Sequence, residues 1–258
     1  MMNNDIVLLQ TTISNLNKAL YKRVGPQSLL AWQRVRLANH MAANGSQWFD
    51  VVKRYNSGTY NNQYMVIDLT KVKVGKYVDD DALWVIEQMP GLVVGQDVTS
   101  ILRNGYWASY NRPFFEEIVT LGGYQPIIQK YPIFSYDLAP RGKIFRRDAG
   151  QVADMKSMKR IMSYNDFRHD KYSGGKPTNT ICARGDLDPD KPTSFGCTDI
   201  KVTDLEMARE RRAFAINGPT TGTELGNFQW KDKFPDTFHW GTPEMFNFSF
   251  VEMTPTLI

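Results

Sequence analysis

Three clusters of polar side chains hold the residues of this chain that are best suited to chemistry. The first cluster lies within residues 56–63 and combines amide and hydroxyl groups, those of Asn56, Thr59, Asn61 and Asn62. Such a run either forms a turn, because Asn, Gly and Ser favour turns, or presents a preorganised set of hydrogen-bond donors to a substrate. The residues alone leave open whether this cluster binds substrate or is structural.

The other two clusters each offer one candidate functional side chain. Asn111, in the segment YWASYNRP, is either a turn or cap residue or an amide that donates to an oxyanion. Arg141, in the segment APRGKIF, is either a surface charge or a clamp for a carboxylate, a carbonyl or a phosphate. Both remain candidates at this level.

The signatures of several other enzyme classes are missing from the sequence. There is no GxSxG nucleophile elbow, no HExxH zinc motif and no P-loop. The three histidines, His40, His169 and His239, lack the spacing of a metal site. We therefore expect neither a metal ion nor another cofactor.

The two cysteines, Cys182 and Cys197, lie in a polar segment without a CxxC pair or a nearby histidine. They form either a loop-closing disulfide or two separate thiols. A disulfide across a loop of this length is worth roughly 3 kcal/mol in the chain-entropy model and requires an oxidising compartment. Two glycosylation sequons, at Asn44 and Asn247, favour the same secretory or lysosomal setting.

Composition excludes several classes of protein. With 258 residues, of which 42% are hydrophobic and 22% charged, the chain is neither disordered nor of low complexity. Its net charge, 31 basic minus 27 acidic residues or +4, is too small to indicate a nucleic-acid partner. No run approaches the roughly 18 apolar residues of a membrane span, and the first residues lack a signal-peptide pattern.

Hydrophobic periodicity predicts an α+β protein with an antiparallel sheet. The predicted strands are 5–12, 64–69, two within 82–96 around Pro90-Gly91, 142–148, 199–204 and 212–217. The predicted helices are Ser28–Ala43 with Ser28 as its cap, Gln47–Arg54, 97–104, 114–121 opened by Pro113, and 151–164. Residues 165–198 are expected to be a loop. Because no linker separates two halves, we expect one domain over 1–258.

Long stretches of the sequence resemble the phospholipase B-like proteins, in order and over essentially the whole chain. The stretches are NSGTYNNQYMVIDL at 56–69, EQMPGLVV at 87–94, YWASYNRPFFE at 106–116, APRGKIFRRD at 139–148 and MKRIMSYNDFRHD at 158–170. The chain is more similar to the first of the two vertebrate subgroups than to the second.

The resemblance implies an N-terminal-nucleophile hydrolase fold, an αββα sandwich of antiparallel sheets, here incomplete at its N-terminus. In that family, the nucleophile is a cysteine exposed by self-cleavage, and its own α-amino group serves as base. The motifs match Asn111 and Arg141 to active-site residues, and Cys182 and Cys197 to a disulfide. The nucleophile would lie upstream of Met1, so we expect the chain alone to be inactive.

The resemblance also implies function and setting. We expect a lysosomal or secreted glycoprotein that deacylates phospholipids, or hydrolyses related esters or amides, in lipid degradation. The chain would be the C-terminal portion of the catalytic domain, and its partners would be a lipid or other acyl substrate and the N-terminal fragment of the same precursor. A homodimer is compatible with this. The alternatives are a catalytically inactive lipid- or glycan-binding glycoprotein and a truncated isoform.

Overall fold

The computed structural model of the chain describes residues 2, 4–219 and 225–256. Its contacts divide the chain into two compact units, Met1–Gly142 and Lys143–Ile258. Helices and antiparallel sheets occur in both, so the predicted α+β class is confirmed. The two-sheet sandwich and the single domain over 1–258 stay predictions.

The first unit is built on a four-stranded antiparallel sheet. The strands of the whole unit are β1 (Ile6–Thr12), β2 (Asn62–Asp68), β3 (Val72–Lys73), β4 (Tyr77–Val78), β5 (Leu83–Met89) and β6 (Leu92–Asp97). The sheet has the order β1-β2-β5-β6, and β3 and β4 form a separate ribbon. The predicted pair of strands around Pro90-Gly91 is confirmed, because Met89 pairs with Leu92 across that tight turn.

Helices cover both faces of this sheet. They are α1 (Ala31–Met41), α2 (Gly45–Val52), α3 (Thr99–Leu102), α4 (Glu116–Leu121) and α5 (Gln125–Lys130), with 3-10 turns at Lys18–Arg23, Leu69–Lys71 and Pro132–Phe134. The alternating side chains of β5 separate the two cores. Ile86 packs in the cluster that contains Trp48 of α2, whereas Val85 and Met89 pack in the cluster that contains Ile118 of α4.

Two predicted helix starts were wrong. Helix α1 begins at Ala31, where the Gln33 side chain accepts from the backbone N–H of Leu30, while the Ser28 hydroxyl donates to the carbonyl of Gly25 instead. Helix α4 begins at Glu116, because Phe115 is still extended with φ −77° and ψ 133°. Pro113 therefore belongs to the preceding loop rather than to the first helical turn.

The second unit combines a three-stranded sheet with short helices. The strands of the whole unit are β7 (Asp199–Val202), β8 (Ala213–Asn217), β9 (Phe228–Gln229), β10 (Met245–Phe246) and β11 (Val251–Met253). The three-stranded sheet has the order β11-β8-β7, and β9 and β10 pair separately. The helices are α6 (Pro140–Asp148), which begins in the last residues of the first unit, α7 (Met155–Met162), α8 (Leu205–Arg209) and α9 (Trp230–Lys233), with 3-10 turns at Ala149–Gln151, Pro177–Asn179 and Gly185–Leu187.

The predicted strand at 142–148 was wrong, because this segment is helix α6. Proline is favoured in the first turn of a helix, and Pro140 is the first residue of α6. Arg146 and Arg147 lie in the last turn, where cations interact favourably with the helix dipole. These two end signals outweigh the short apolar pair Ile144-Phe145 that had indicated a strand.

Candidate functional site

Strand β1 forms an edge of the sheet in the described part of the chain, and it lacks the features that usually protect such an edge. Its sequence, IVLLQTT, contains no charged residue and no proline. Leu69 N–H donates to the Asp5 carbonyl and Ile13 N–H donates to the Asn61 carbonyl, so odd-numbered residues face β2. By the antiparallel alternation, the backbone groups of Leu8, Gln10 and Thr12 point toward the open edge.

Asn111 binds the end of that open edge. Its side-chain Nδ2 donates to the Thr12 carbonyl at 2.7 Å, and its backbone N–H donates to the Thr11 hydroxyl at 3.4 Å. The Asn111 backbone is left-handed, with φ +63°, a conformation that asparagine tolerates better than most side chains. The turn therefore aims the amide of Asn111 at the last residue of β1.

Arg141, from the first turn of α6, fixes the orientation of this amide. Its Nη1 donates to Asn111 Oδ1 at 2.9 Å, and its Nη2 donates to the Tyr110 carbonyl at 2.6 Å. Only glycine allows this approach at position 142, because a Cβ there would lie 2.8 Å from the Tyr110 hydroxyl oxygen. The structure thus brings Asn111 and Arg141, predicted separately from sequence, into direct contact.

A second guanidinium lies beside the first. Arg112 Nη1 donates to the backbone carbonyl of Asn111 at 3.3 Å, and its guanidinium carbon lies 4.8 Å from the centre of the Phe134 ring. Burial, together with the charge of Arg112, lowers the pKa of Arg141 to about 10. Over the described ranges neither arginine pairs with a carboxylate, so positive charge accumulates around Asn111.

Two members of the 56–63 cluster, Asn56 and Thr59, form hydrogen bonds to backbone groups of other elements. Asn56 Nδ2 donates to the carbonyls of Met89 and Leu92, at 2.8 and 3.3 Å, and its Oδ1 accepts from Gly58 N–H. Asn56 thereby closes the turn between β5 and β6. The Thr59 hydroxyl accepts from Ala31 N–H at 3.2 Å, at the first residue of α1. For these two side chains, the contacts are those of a structural role.

The other two members retain unused hydrogen-bonding capacity. Asn62, opposite Thr12 in the sheet, donates to Tyr64 and Gln10, whereas Asn61 accepts from Ile13 through its backbone. The side-chain Oδ1 atoms of Asn61 and Asn62 are buried and have no partner in the described part of the chain. A cleft lined by residues 12–15 and 58–61 lies next to the end of β1.

Sequence reasoning missed Glu87, which is completely buried at the centre of β5. Its Oε1 accepts from Gln63 Nε2 at 2.6 Å and from Phe114 N–H at 2.8 Å, and its Oε2 accepts from Phe115 N–H at 3.0 Å. Burial raises the pKa of Glu87 to about 7. A signal existed, because Glu87 is an acid at an inward position of a strand whose same-face neighbours are apolar.

With the geometry in place, comparison with known proteins gives the family. A family model described as Phospholipase B matches residues 1–253. The chain belongs to the phospholipase B family. Human phospholipase B-like 1 is 51% identical over 257 residues, phospholipase B of Crotalus adamanteus is 50% identical over 253, and the putative phospholipase B-like 2 of Bos taurus is 42% identical over 270.

These matches cover 99%, 98% and 96% of this chain but 46% of each relative. The chain therefore spans about half the length of the curated relatives it matches. Its greater identity to the first vertebrate subgroup confirms that part of the predicted resemblance to the phospholipase B family.

The remaining sequence-predicted residues are the two cysteines and the two sequon asparagines. Cys182 and Cys197 lie near disulfide distance, and the adjacent Cys182 side chain raises the pKa of the Cys197 thiol. The sequon residue Asn247 is exposed, whereas Asn44 is half-buried at the start of α2, where its side chain accepts from Gln47 N–H. Both glycosylation sites stay predictions.

The described residues of this phospholipase B family chain contain no helix that combines the length and the apolar character of a bilayer span. Within the same residues, no group of three or more His, Cys, Asp or Glu side chains is arranged to hold a metal ion.

The structural role of Asn56 is testable through stability. Asn56→Ala leaves the carbonyl of Met89 and the N–H of Gly58 without their partner, so we expect a loss of about 1–3 kcal/mol in the free energy of unfolding. Urea denaturation measures it, with exposed Asn104→Ala in the same unit as the matched control that changes little. An Asn56→Ala protein as stable as wild type would contradict this role.

Proposed function

We propose that this chain is the C-terminal portion of a phospholipase B-like hydrolase that deacylates phospholipids or related esters and amides, in the lysosome or after secretion. The observation that carries the proposal is the Arg141–Asn111–Thr12 chain of hydrogen bonds at the open end of β1. Membership of the phospholipase B family supports the reaction class.

Asn111 acts as the oxyanion donor. An asparagine amide carries two N–H groups, and one of them is occupied by the Thr12 carbonyl. The second N–H is available for the charge that develops on the substrate carbonyl oxygen. Because Arg141 holds Oδ1, the amide cannot rotate to present its oxygen to that charge. Such a fixed donor needs no reorganisation during the reaction.

The paired arginines favour a phospholipid over an uncharged acyl substrate. Arg112 and Arg141 contact the backbone and the side chain of the same asparagine and lack a carboxylate partner in the described part of the chain. Guanidinium groups match the geometry of phosphate oxygens and remain charged at every physiological pH. A phosphodiester head group bound here would place the neighbouring acyl ester beside Asn111.

The nucleophile comes from the other half of the precursor. By family resemblance it is an N-terminal cysteine whose α-amino group acts as base. The backbone groups of Leu8 and Gln10 at the edge of β1 match an added strand, and one end of such a strand lies beside Asn111. The half of each relative that this chain does not match is the proposed source of this strand and of the rest of the αββα sandwich.

Substitution of Asn111 in the mature full-length hydrolase tests its role. Asn111→Ala should lower kcat about 10²–10³-fold with little change in KM, because one donor to the transition state is lost. Asn111→Asp should be at least as harmful, since a carboxylate repels the developing negative charge. Self-cleavage is checked by gel before kinetics are measured. Folded, mature Asn111→Ala protein with wild-type turnover would overturn the assignment.

The head-group role of Arg112 separates two substrate classes. Arg112→Gln should raise KM about tenfold for a lysophospholipid, because a hydrogen bond to a charged group is worth about 1.5–3 kcal/mol. It should leave KM unchanged for a monoacylglycerol with the same acyl chain. Arg54→Gln, on the surface of the same unit, is the control that alters neither. An equal effect on both substrates would exclude phosphate recognition by Arg112.

Redox state tests the proposed compartment. The near-disulfide placement of Cys182 and Cys197 supports a disulfide in protein from a secretory source. Mass spectrometry without reductant should find the two cysteines linked, and Cys197→Ser should cost roughly 3 kcal/mol of unfolding free energy. Recovery of both residues as thiols would refute the disulfide.

A further inference from the structure

Glu87 differs from Asp170 and Asp186, the buried acids of the second unit. Asp170 accepts a hydrogen bond from Arg147 at 2.7 Å, and Asp186 accepts two hydrogen bonds from Arg184. Glu87 is equally buried, yet its partners in the described structure are two backbone N–H groups and the amide of Gln63. An ionised carboxylate without a cation is costly in a protein interior, so this position favours the neutral acid.

The contact between Glu87 and Gln63, which measures 2.6 Å, can be made in either orientation of the glutamine amide. The two ends of a glutamine amide have nearly the same shape, so the assignment of Nε2 and Oε1 is interchangeable. With the amide turned, Gln63 Oε1, which has no partner in the assigned orientation, accepts the proton of Glu87.

Among the described residues, no cation is hydrogen-bonded to Glu87. Its neighbours in register are Gln63 on β2 and Val94 on β6, both uncharged. The titratable groups that interact with it are Glu117 of α4, whose charge raises the pKa of Glu87 further, and the phenols of Tyr124 and Tyr136. Burial remains the largest cause of that rise.

Glu87 also reaches the loop that carries Asn111. Glu87 binds the N–H groups of Phe114 and Phe115, which follow Asn111 by three and four residues. Pro113, which precedes Phe114, has no N–H. The ring of Phe114 packs at 4.9 Å from Trp107 and 5.2 Å from Tyr136, which encloses the base of the loop. Glu87 is therefore a second polar attachment between the sheet and this loop, in addition to the bonds of Asn111 to β1.

We propose that Glu87 is a positioning residue for the Asn111 loop and that it acts as a neutral acid, donating its proton to Gln63 while its oxygens accept from Phe114 and Phe115. The catalytic consequence rests on the proposed function of Asn111; the attachment itself does not. On deprotonation, the proton goes to solvent and the Gln63 amide turns to donate. The loop is then held by a buried anion.

The sign of the pH dependence follows from linkage. The pKa of Glu87 is raised from an ordinary value of 4.5 to about 7 in the folded protein. The folded state therefore binds more protons than the unfolded state between these values, and stability falls as pH rises through that window. The contribution of the raised pKa of Glu87 to the free energy of unfolding is complete below about pH 4.5 and is lost as pH rises through about 7, so the fold around the loop is most stable in an acidic compartment.

Hydrogen exchange detected by mass spectrometry on the mature full-length protein tests this. In a peptide spanning Arg112–Ile118, protection corrected for intrinsic exchange should fall about tenfold between pH 5 and pH 8. In Glu87→Gln it should be independent of pH, because the amide mimics the protonated acid toward Gln63 and Phe115. Glu116→Gln, which changes an exposed acid at the start of α4, should retain the wild-type pH dependence. Protection that is equal at both pH values in wild type would overturn the proposal.

Infrared spectroscopy of the wild-type protein provides a measurement that needs no variant. A C=O band of a protonated carboxylic acid should persist at pH 6, where ordinary carboxyl groups are ionised. Absence of that band would likewise overturn the proposal. Turnover measured on the same protein separates the Glu87 hypothesis from the proposed hydrolase function. Protection that depends on pH, without hydrolysis, supports the role of Glu87 and counts against the proposed function. Hydrolysis with protection that is independent of pH supports the proposed function and counts against the role of Glu87.

Discussion

The amide of Asn111 is the interaction on which the candidate site depends. One end of it donates to Thr12, the last residue of an edge strand, and the other end accepts from Arg141 in the first turn of a helix. These residues are 99 and 30 positions away along the chain. Each partner selects the same orientation of the amide, because the Thr12 carbonyl can only accept and the Arg141 guanidinium can only donate. The two partners together allow one orientation.

This geometry explains why local features of the chain take unusual values. The left-handed backbone at Asn111 is needed to turn its side chain toward Thr12, and Gly142 is needed to let the helix approach Tyr110. The buried attachment of Phe114 and Phe115 to Glu87 then holds the loop from behind. Each feature is unfavourable or restrictive by itself, and each is consistent with positioning the same amide.

Much of the fold was predictable because its signals are local. The Pro90-Gly91 turn between two apolar runs predicts β5 and β6, and the methionine and isoleucine spacing predicts α7. The segment 142–148 could not be predicted correctly from its apolar pair, because the end signals at Pro140, Arg146 and Arg147 decided its state. The contact of Asn111 with Thr12 was unpredictable for a different reason, since nothing local relates a loop to the open edge of a distant strand.

The predicted polar cluster at 56–63 contains residues with two different roles. Asn56 and Thr59 satisfy backbone groups of the β5–β6 turn and of α1, which a turn-forming composition already favoured. Asn61 and Asn62 instead retain buried side-chain oxygens without partners in the described part of the chain. Sequence composition does not distinguish these four residues, because it does not show which side chains form all their hydrogen bonds within the fold.

The distribution of buried charge separates the two units. In the second unit, Arg147 and Arg184 are matched by Asp170 and Asp186, which is the arrangement that makes a buried ion tolerable. In the first unit, Arg34 donates to the Leu29 carbonyl and the Gln88 amide oxygen, and Glu87 accepts from neutral groups.

With Arg112 and Arg141, Arg34 and Glu87 form a set of buried or half-buried ionisable groups that no described residue neutralises. Selection for stability alone would replace such groups with apolar side chains of similar volume, because an unmatched charge in the interior costs more than it contributes. Of these groups, Arg112, Arg141 and Glu87 lie on or against the Asn111 loop, an arrangement compatible with a charged ligand at that loop.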